Sequence, residues 1–250
     1  MSKVDPAKSL ALKLVLAPVL VAQAVATRKR APSLPEAEGP REGRLGRGGR
    51  PFRLLIAGDS SAADVGVARQ DQALAGYLSR ALHRELARPV RWSLHARSGF
   101  TTHQVFALLR GQPLPAAEVA VVVTGVNDVI EQIPLRRALA ERAALADWLL
   151  GERGVSHVVF APLPPVERFP LLPSPLRNVM GADAHRLDEA IARWAAARSD
   201  VSHAVIEVEL GPDAMAIDGF HPGEAVYRTC GEALAAHISK LTLAVAENHP

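Results

Sequence analysis

The chain has 250 residues, 48% hydrophobic and 22% charged, enough to bury one sizeable core without requiring two domains. Its single cysteine, Cys230, excludes an intramolecular disulfide and suits a reducing compartment. The net charge of +3 is uneven: residues 1–50 hold ten Lys/Arg against four Asp/Glu, the rest of the chain is net acidic, and no basic cluster there supports a nucleic-acid partner.

From the N-terminus, Leu10 to Ala26 is apolar except for Lys13 and Gln23, carries Pro18 near its middle, and leads into Arg28-Lys29-Arg30. Residues 1–30 therefore read as an apolar helix with a basic end. The 17 residues from Leu10 to Ala26 sit at the short limit for a membrane span of about 20. Three roles stay open. The segment is a helix of a cytoplasmic protein, lying on its own body or on a membrane surface through residues 10–30; or it anchors a cytoplasmic body; or it is an export signal, for which Ala22-Gln-Ala24 and Ala24-Val-Ala26 resemble cleavage sites. The basic residues directly after the apolar run favour the cytoplasmic side. Residues 31–50 are rich in Pro, Gly, Arg and Glu without apolar periodicity and read as a flexible linker, leaving 51–250 as the folded domain. Within the linker, Gly43 to Gly49 lacks the lysine ending and the preceding strand of a phosphate loop.

Beyond Phe52, short apolar runs alternate with segments of helical period. Strands are predicted at 52–57, 90–96, 119–124, 155–161 and 203–208; the run Val119-Ala-Val-Val-Val123 is apolar on both faces, as a central parallel strand requires. Helices are predicted over 71–87, where Leu74, Tyr77, Leu78, Ala81, Leu82 and Leu86 recur at three- and four-residue spacing, and over 134–150, opened by Pro134. Two more fit 182–198 and 223–247. Five strands with helical crossovers predict a doubly wound α/β sandwich around a parallel sheet. Trp92, Trp148 and Trp194 fall in strand or helix patterns and read as core. The proline-rich stretch 162–181 suits neither a regular helix nor a central strand, and its Phe169, Leu171, Leu172 and Leu176 read as a rim or lid beside a site.

The chemistry concentrates at loop positions after the strands. Leu54-Leu-Ile-Ala-Gly58-Asp-Ser60 is an apolar run ending in a glycine that lets the chain turn, which puts Ser60 at the C-terminal edge of a sheet. A serine hydroxyl is a weak nucleophile without a base and a group that orients the base. His221 is the candidate base and Asp218, three residues earlier in a loop before the last helix, the candidate orienter. The oxyanion of acyl transfer needs preorganised donors: the backbone N–H of Ser60, that of Gly99 after the second strand, and the amide of Asn127 after the third. Ser61 reads as a cap, and Asp59 and Asp128 as braces. Phe169, Leu171, Leu172 and Phe220 are the substrate-binding candidates, and their low polarity favours an apolar acyl chain. No His-Glu-x-x-His motif, Cys pair or dense acidic cluster suggests a metal, and no Gly-x-Gly-x-x-Gly turn a dinucleotide.

Together, Gly58-Asp-Ser60, Gly99, Gly125-Val-Asn127-Asp128 and Asp218-Gly-Phe-His221 resemble, in order, the four blocks of the SGNH (GDSL) hydrolases, and span residues 54–221. The resemblance implies a flavodoxin-like three-layer α/β/α sandwich with a five-stranded parallel sheet and cofactor-free hydrolysis of esters, thioesters or related acyl derivatives. Ser61 stands where the name-giving block has leucine. The expectation is an esterase or lipase-like acyl hydrolase acting on a small-molecule or lipid ester. A carbohydrate O-acetyl esterase and a noncatalytic membrane-associated binding module are the alternatives.

Overall fold

The computed structural model describes residues 6–208 and 214–247. The first five residues of the predicted N-terminal helix therefore lie outside the described residues. Seven helices and six strands are labelled in chain order: α1 (Pro6–Arg30), β1 (Glu42–Leu45), β2 (Phe52–Gly58), α2 (Leu74–Leu86), β3 (Val90–Ala96), α3 (Thr102–Arg110), β4 (Val119–Val123), α4 (Val126–Ile130), α5 (Leu135–Gly151), β5 (His157–Phe160), α6 (Leu176–Ala195), β6 (Val201–His203) and α7 (Glu224–Glu247).

The six strands form one sheet in the order β1-β3-β2-β4-β5-β6. Strands β2 to β6 run parallel, and β1 pairs antiparallel with β3 at the edge. The parallel order reverses direction at β2, so a crevice opens beyond the C-terminal ends of β2 and β4, where doubly wound folds bind ligands. Side chains alternate across β2 into two cores. Leu55 and Ala57 face α3, α5 and α6 through Val105, Leu145, Leu149 and Ile191. Leu54 and Ile56 face α2 and α7 through Leu78, Leu82, Leu234 and Ile238. Trp92 joins the second core, while Trp148 and Trp194 pack against the first.

Three segments depart from the sequence expectation. The sheet is six-stranded and mixed because residues 42–45, read as part of a linker, pair with β3 from Glu42↔Ser93 to Leu45↔Val90. An edge strand needs one hydrogen-bonded neighbour rather than two apolar faces, so a Gly- and Arg-containing segment can serve. The strand expected at 203–208 is instead Val201–His203, because β5 offers partners only as far as Phe160↔His203; beyond it Val205 is exposed. Helix α6 starts at Leu176, six residues before the expected start, directly after Pro175. Proline is tolerated there because the first turn of a helix has no partner for its N–H.

Helix α1 lies on the body. Gln23 donates from Nε2 to the Ser174 carbonyl at 2.8 Å and accepts from the Leu176 N–H at 3.1 Å, closing the start of α6, and Leu20 packs on the α3–α5–α6 core. No helix among the described residues is long and apolar enough to cross a membrane.

Candidate active site

Ser60 stands in the first turn after β2, with the residues that follow coiled back by Ala63 N–H to Asp59 O at 2.8 Å and Val65 N–H to Ser60 O at 3.0 Å. A Cβ on Gly58 would lie 2.3 Å from the Val123 carbonyl oxygen and 2.7 Å from the Ala62 Cβ. Close approach of the β4 end, rather than the sharpness of the turn, is what requires glycine here. The same Val123 carbonyl accepts the Asp59 N–H at 3.0 Å, and Asp59 Oδ1 accepts the Ser61 N–H at 3.0 Å, so Asp59 braces the turn.

Across the cleft, the loop before α7 holds the histidine. Asp218 Oδ2 lies 2.5 Å from His221 Nδ1, while its Oδ1 accepts the main-chain N–H groups of Phe220 and His221, both at 2.9 Å. Burial alone would raise this carboxyl. The bonds from the His221 ring and the two N–H groups outweigh that and hold it below the usual carboxylate range. With Nδ1 engaged, Nε2 is the imidazole nitrogen left for chemistry. Ser60 and His221 line one cleft together with Val126, Phe169 and Phe220. The Phe220 ring meets Phe169 edge-on at 5.2 Å and His221 at 5.1 Å, buttressing the imidazole. Two of the four substrate-binding candidates, Phe169 and Phe220, thus stand at the cleft. Leu172 is instead buried in the core, and Leu171 is tied by its N–H to the Gly219 carbonyl at 3.0 Å; neither is among the residues lining the cleft. The Leu171–Gly219 bond and the Phe169–Phe220 contact tie this stretch to the 218–221 loop, so it supports the histidine.

The oxyanion candidates follow three adjacent strands. Gly99 turns the chain after β3 with φ of 79°, a left-handed conformation that glycine adopts without strain. Asn127, in the first turn of α4 after β4, donates from Nδ2 to the Phe100 carbonyl at 3.1 Å, which joins it to the Gly99 turn and leaves the amide its second N–H. The segment read as a linker supports that turn too. Glu36 accepts the Ser98 N–H at 2.7 Å, Arg41 donates to the Ala96 carbonyl at 2.7 Å, and Glu36 and Arg41 pair with each other.

Sequence reading missed Arg142. Fully buried on α5, it donates to the Ala138 carbonyl at 3.0 Å and the Thr124 carbonyl at 3.2 Å, and pairs with Asp128 Oδ2 at 2.9 Å. Asp128 in turn accepts the Thr102 N–H at 2.9 Å and hydroxyl at 2.6 Å. The signal was available: Arg142 interrupts the apolar face of α5 formed by Ala138, Leu145, Ala146 and Leu149. One cation here faces two acids. Burial, and then the charge of Asp128, push the Asp59 carboxyl up to about 7, against the opposing pull of the Ser61 N–H and Arg142. Among the described residues, no group of three or more His, Cys, Asp or Glu could hold a metal ion.

A family model for the GDSL-like lipases and acylhydrolases matches residues 56–229, from within β2 to within α7. The chain belongs to the GDSL-like lipase/acylhydrolase family. Solved structures agree in fold. A lipase from a goat rumen metagenome is 18% identical with a TM-score of 0.60, the alignment covering 74% of this chain and 96% of that one. A GDSL-like lipase from Bacteroides thetaiotaomicron is 17% identical with a TM-score of 0.54, covering 75% and 88%. A carbohydrate esterase family 2 enzyme with a carbohydrate-binding domain, from Corynascus thermopiles (Myceliophthora fergusii), is 15% identical with a TM-score of 0.59, covering 79% and 69%. No curated protein sequence matches the chain.

Two predictions follow from the buried charges. Replacing Arg142 by Met leaves Asp128 buried without its cation and should cost about 3–5 kcal/mol in urea unfolding. Arg142→Met combined with Asp128→Asn should cost clearly less than the two single changes added together; additivity would contradict a direct coupling. For Asp59, an acid whose folded-state value lies above its unfolded one favours folding at low pH and costs stability as pH rises through 7. Asp59→Asn should raise the thermal midpoint at pH 8, with the gain fading towards pH 4. An equal gain at both would contradict the assignment.

Proposed function

We propose that the chain is a serine esterase that hydrolyses carboxylic esters through Ser60, His221 and Asp218. The observation that carries this reading is the Asp218–His221 bond at 2.5 Å, with the imidazole opening on the cleft that Ser60 lines. Family membership and the order of the strand-end residues support it.

In this mechanism the Ser60 Oγ attacks the acyl carbonyl while His221 Nε2 takes the hydroxyl proton. The Asp218 carboxylate holds Nδ1–H and stabilises the imidazolium. Negative charge moves to the carbonyl oxygen, where the N–H groups of Ser60 and Gly99 and the Asn127 amide receive it. Collapse of the tetrahedral adduct breaks the ester C–O bond. His221 returns the proton to the leaving alkoxide, and an acyl-Ser60 ester remains. Water, deprotonated by His221, then attacks that ester; the acyl C–Oγ bond breaks, His221 returns the proton to Ser60 Oγ, and the carboxylic acid is released. Replacing Ser60 by Ala should lower nitrophenyl acetate and butyrate turnover by about 10⁴-fold or more, with the thermal midpoint retained. Replacing Asp218 by Asn should lower kcat by about 10⁴-fold by stabilising the wrong imidazole tautomer. Activity retained by the Ser60 variant would place the nucleophile elsewhere.

We further infer that α1 meets anionic lipid. Its inward side docks through Leu20 and Gln23, while Val15, Val19, Val21 and Val25 are exposed on the outside and Arg28, Lys29 and Arg30 form its basic end. The protein should sediment with vesicles of mixed phosphatidylserine and phosphatidylcholine, less so at high salt, and lose this on removal of residues 1–30, which spares Glu36 and Arg41. Vesicle binding unaffected by that removal, or concentration-dependent self-association in its place, would contradict the inference.

A further inference from the structure

Beside the cleft lies a second, larger cavity of about 430 Å³ that no role above uses. Its size falls within the range of about 300–1,000 Å³ typical of small-molecule sites. It opens beyond the C-terminal ends of β4 and β5, at Val123 and Ala161, between the 162–168 segment and α7. Its walls are mainly apolar: Leu163, Pro164 and Pro165 on one side, Val226, Tyr227 and Leu234 on the other. Its polar atoms differ in state: Glu167 Oε1 lies 3.1 Å from His185 Nε2, while Glu167 Oε2 is buried without a partner. The Tyr227 hydroxyl donates away from the cavity to the Val65 carbonyl at 2.7 Å. The Cys230 thiol, pushed up to about 12 by burial, stays uncharged and behaves as a small apolar group. The charged side chains of the lining, Glu167, Arg168, His185 and Glu207, come from the 162–168 loop, α6 and the segment after β6. Cavity and cleft adjoin: Ser61, Pro164, Pro222 and Val226 line both.

We propose that this cavity holds the acyl chain of the substrate and makes the enzyme selective for esters of medium-length, unbranched fatty acids. The proposal rests on reading Ser60 as the nucleophile. A polymethylene chain needs only apolar surface, which Leu163, Pro164, Pro165, Val226, Tyr227 and Leu234 supply over most of the walls. The cleft itself is small, about 40 Å³, and among the described residues the larger space beside it lies past Ser61 and Val226. Each methylene buried contributes about 0.8 kcal/mol, equivalent to about fourfold in kcat/KM. Selectivity should therefore climb with chain length until the cavity is filled and then fall.

The experiment compares kcat/KM for nitrophenyl acetate, butyrate, octanoate and dodecanoate in the full chain and in two variants that fill the cavity from different walls, Cys230→Trp on α7 and Ile206→Trp after β6. The expected wild-type profile rises several-fold per added methylene from acetate towards octanoate. Each variant should lose octanoate turnover at least tenfold more than acetate turnover. A wild-type maximum at acetate, a flat profile, or equal losses at every length in both variants would overturn the acyl-site assignment while leaving the serine esterase reading standing. Dodecanoic acid binding to the Ser60→Ala protein, measured by calorimetry, reads the cavity without turnover. It should be detectable there and lost when Cys230→Trp is added; no binding, or binding indifferent to Cys230→Trp, overturns the proposal even if no ester is hydrolysed.

Discussion

The buried pair of Arg142 and Asp128 is the constraint on which the proposed site depends. Taking both charges out of water is expensive, and such pairs seldom stabilise a fold more than apolar residues would. What this pair supplies is position. Arg142 reaches from α5 to the Thr124 carbonyl at the end of β4, and Asp128 reaches back to the N–H and hydroxyl of Thr102 at the start of α3. Two strand-end turns are thereby fixed to one another: the turn after β3 that carries Gly99, and the turn after β4 that carries Asn127. The bond from Asn127 to the Phe100 carbonyl completes the same junction from the solvent side. Donors that must meet a developing oxyanion are useful only if they need no rearrangement when it forms, and this network removes their freedom to move. The upward push on the Asp59 carboxyl belongs to the same arrangement: it is buried, and it shares a single guanidinium with Asp128.

The remaining parts of the site are built from main-chain necessity. Strand β4 comes so close to the turn after β2 that only glycine fits at position 58. That approach brings the Ser60 turn beside the Asn127 turn at the point where the sheet order reverses. On the opposite side, Asp218 is committed three times over, to the imidazole and to two N–H groups of its own loop, so the orientation of His221 follows from a local turn of four residues. Phe220 and Phe169 then carry the order of the 162–175 segment into the ring of His221. Pro162, Pro164 and Pro165 of that segment form part of one wall of the larger cavity.

Much of this was legible in the residues alone because the candidate groups sit at strand ends, and strand ends are marked by apolar runs meeting glycine or polar residues. Val119–Val123 and Leu54–Ala57 could hardly be anything but central strands. What escaped reading was whatever depends on a partner far along the chain. Residues 42–45 carry no apolar signature because an edge strand buries little, and only β3 shows that they pair. The apolar run at 203–208 outlasts its partner, so composition overstated the strand. Pro173 and Pro175 suggested an extended loop, yet proline also opens helices, and Leu176 begins one. Leu171 and Leu172 are apolar for the sake of a turn and the core rather than for a substrate. Arg142 was visible as a charge on an apolar helical face, but its meaning required Asp128. The larger cavity, formed by residues far apart along the chain, has no sequence signature.

The central claim, that the hydroxyl after β2 is activated by the imidazole before α7, is tested most directly by covalent labelling. The full chain would be treated with a fluorophosphonate, digested, and the modified peptide sequenced by mass spectrometry, beside the same treatment of the His221→Ala protein. The account predicts a single adduct on Ser60, with labelling slowed by orders of magnitude when the imidazole is removed. An adduct on Ser61 or on a distant serine, or labelling of Ser60 at the same rate without the imidazole, would contradict it.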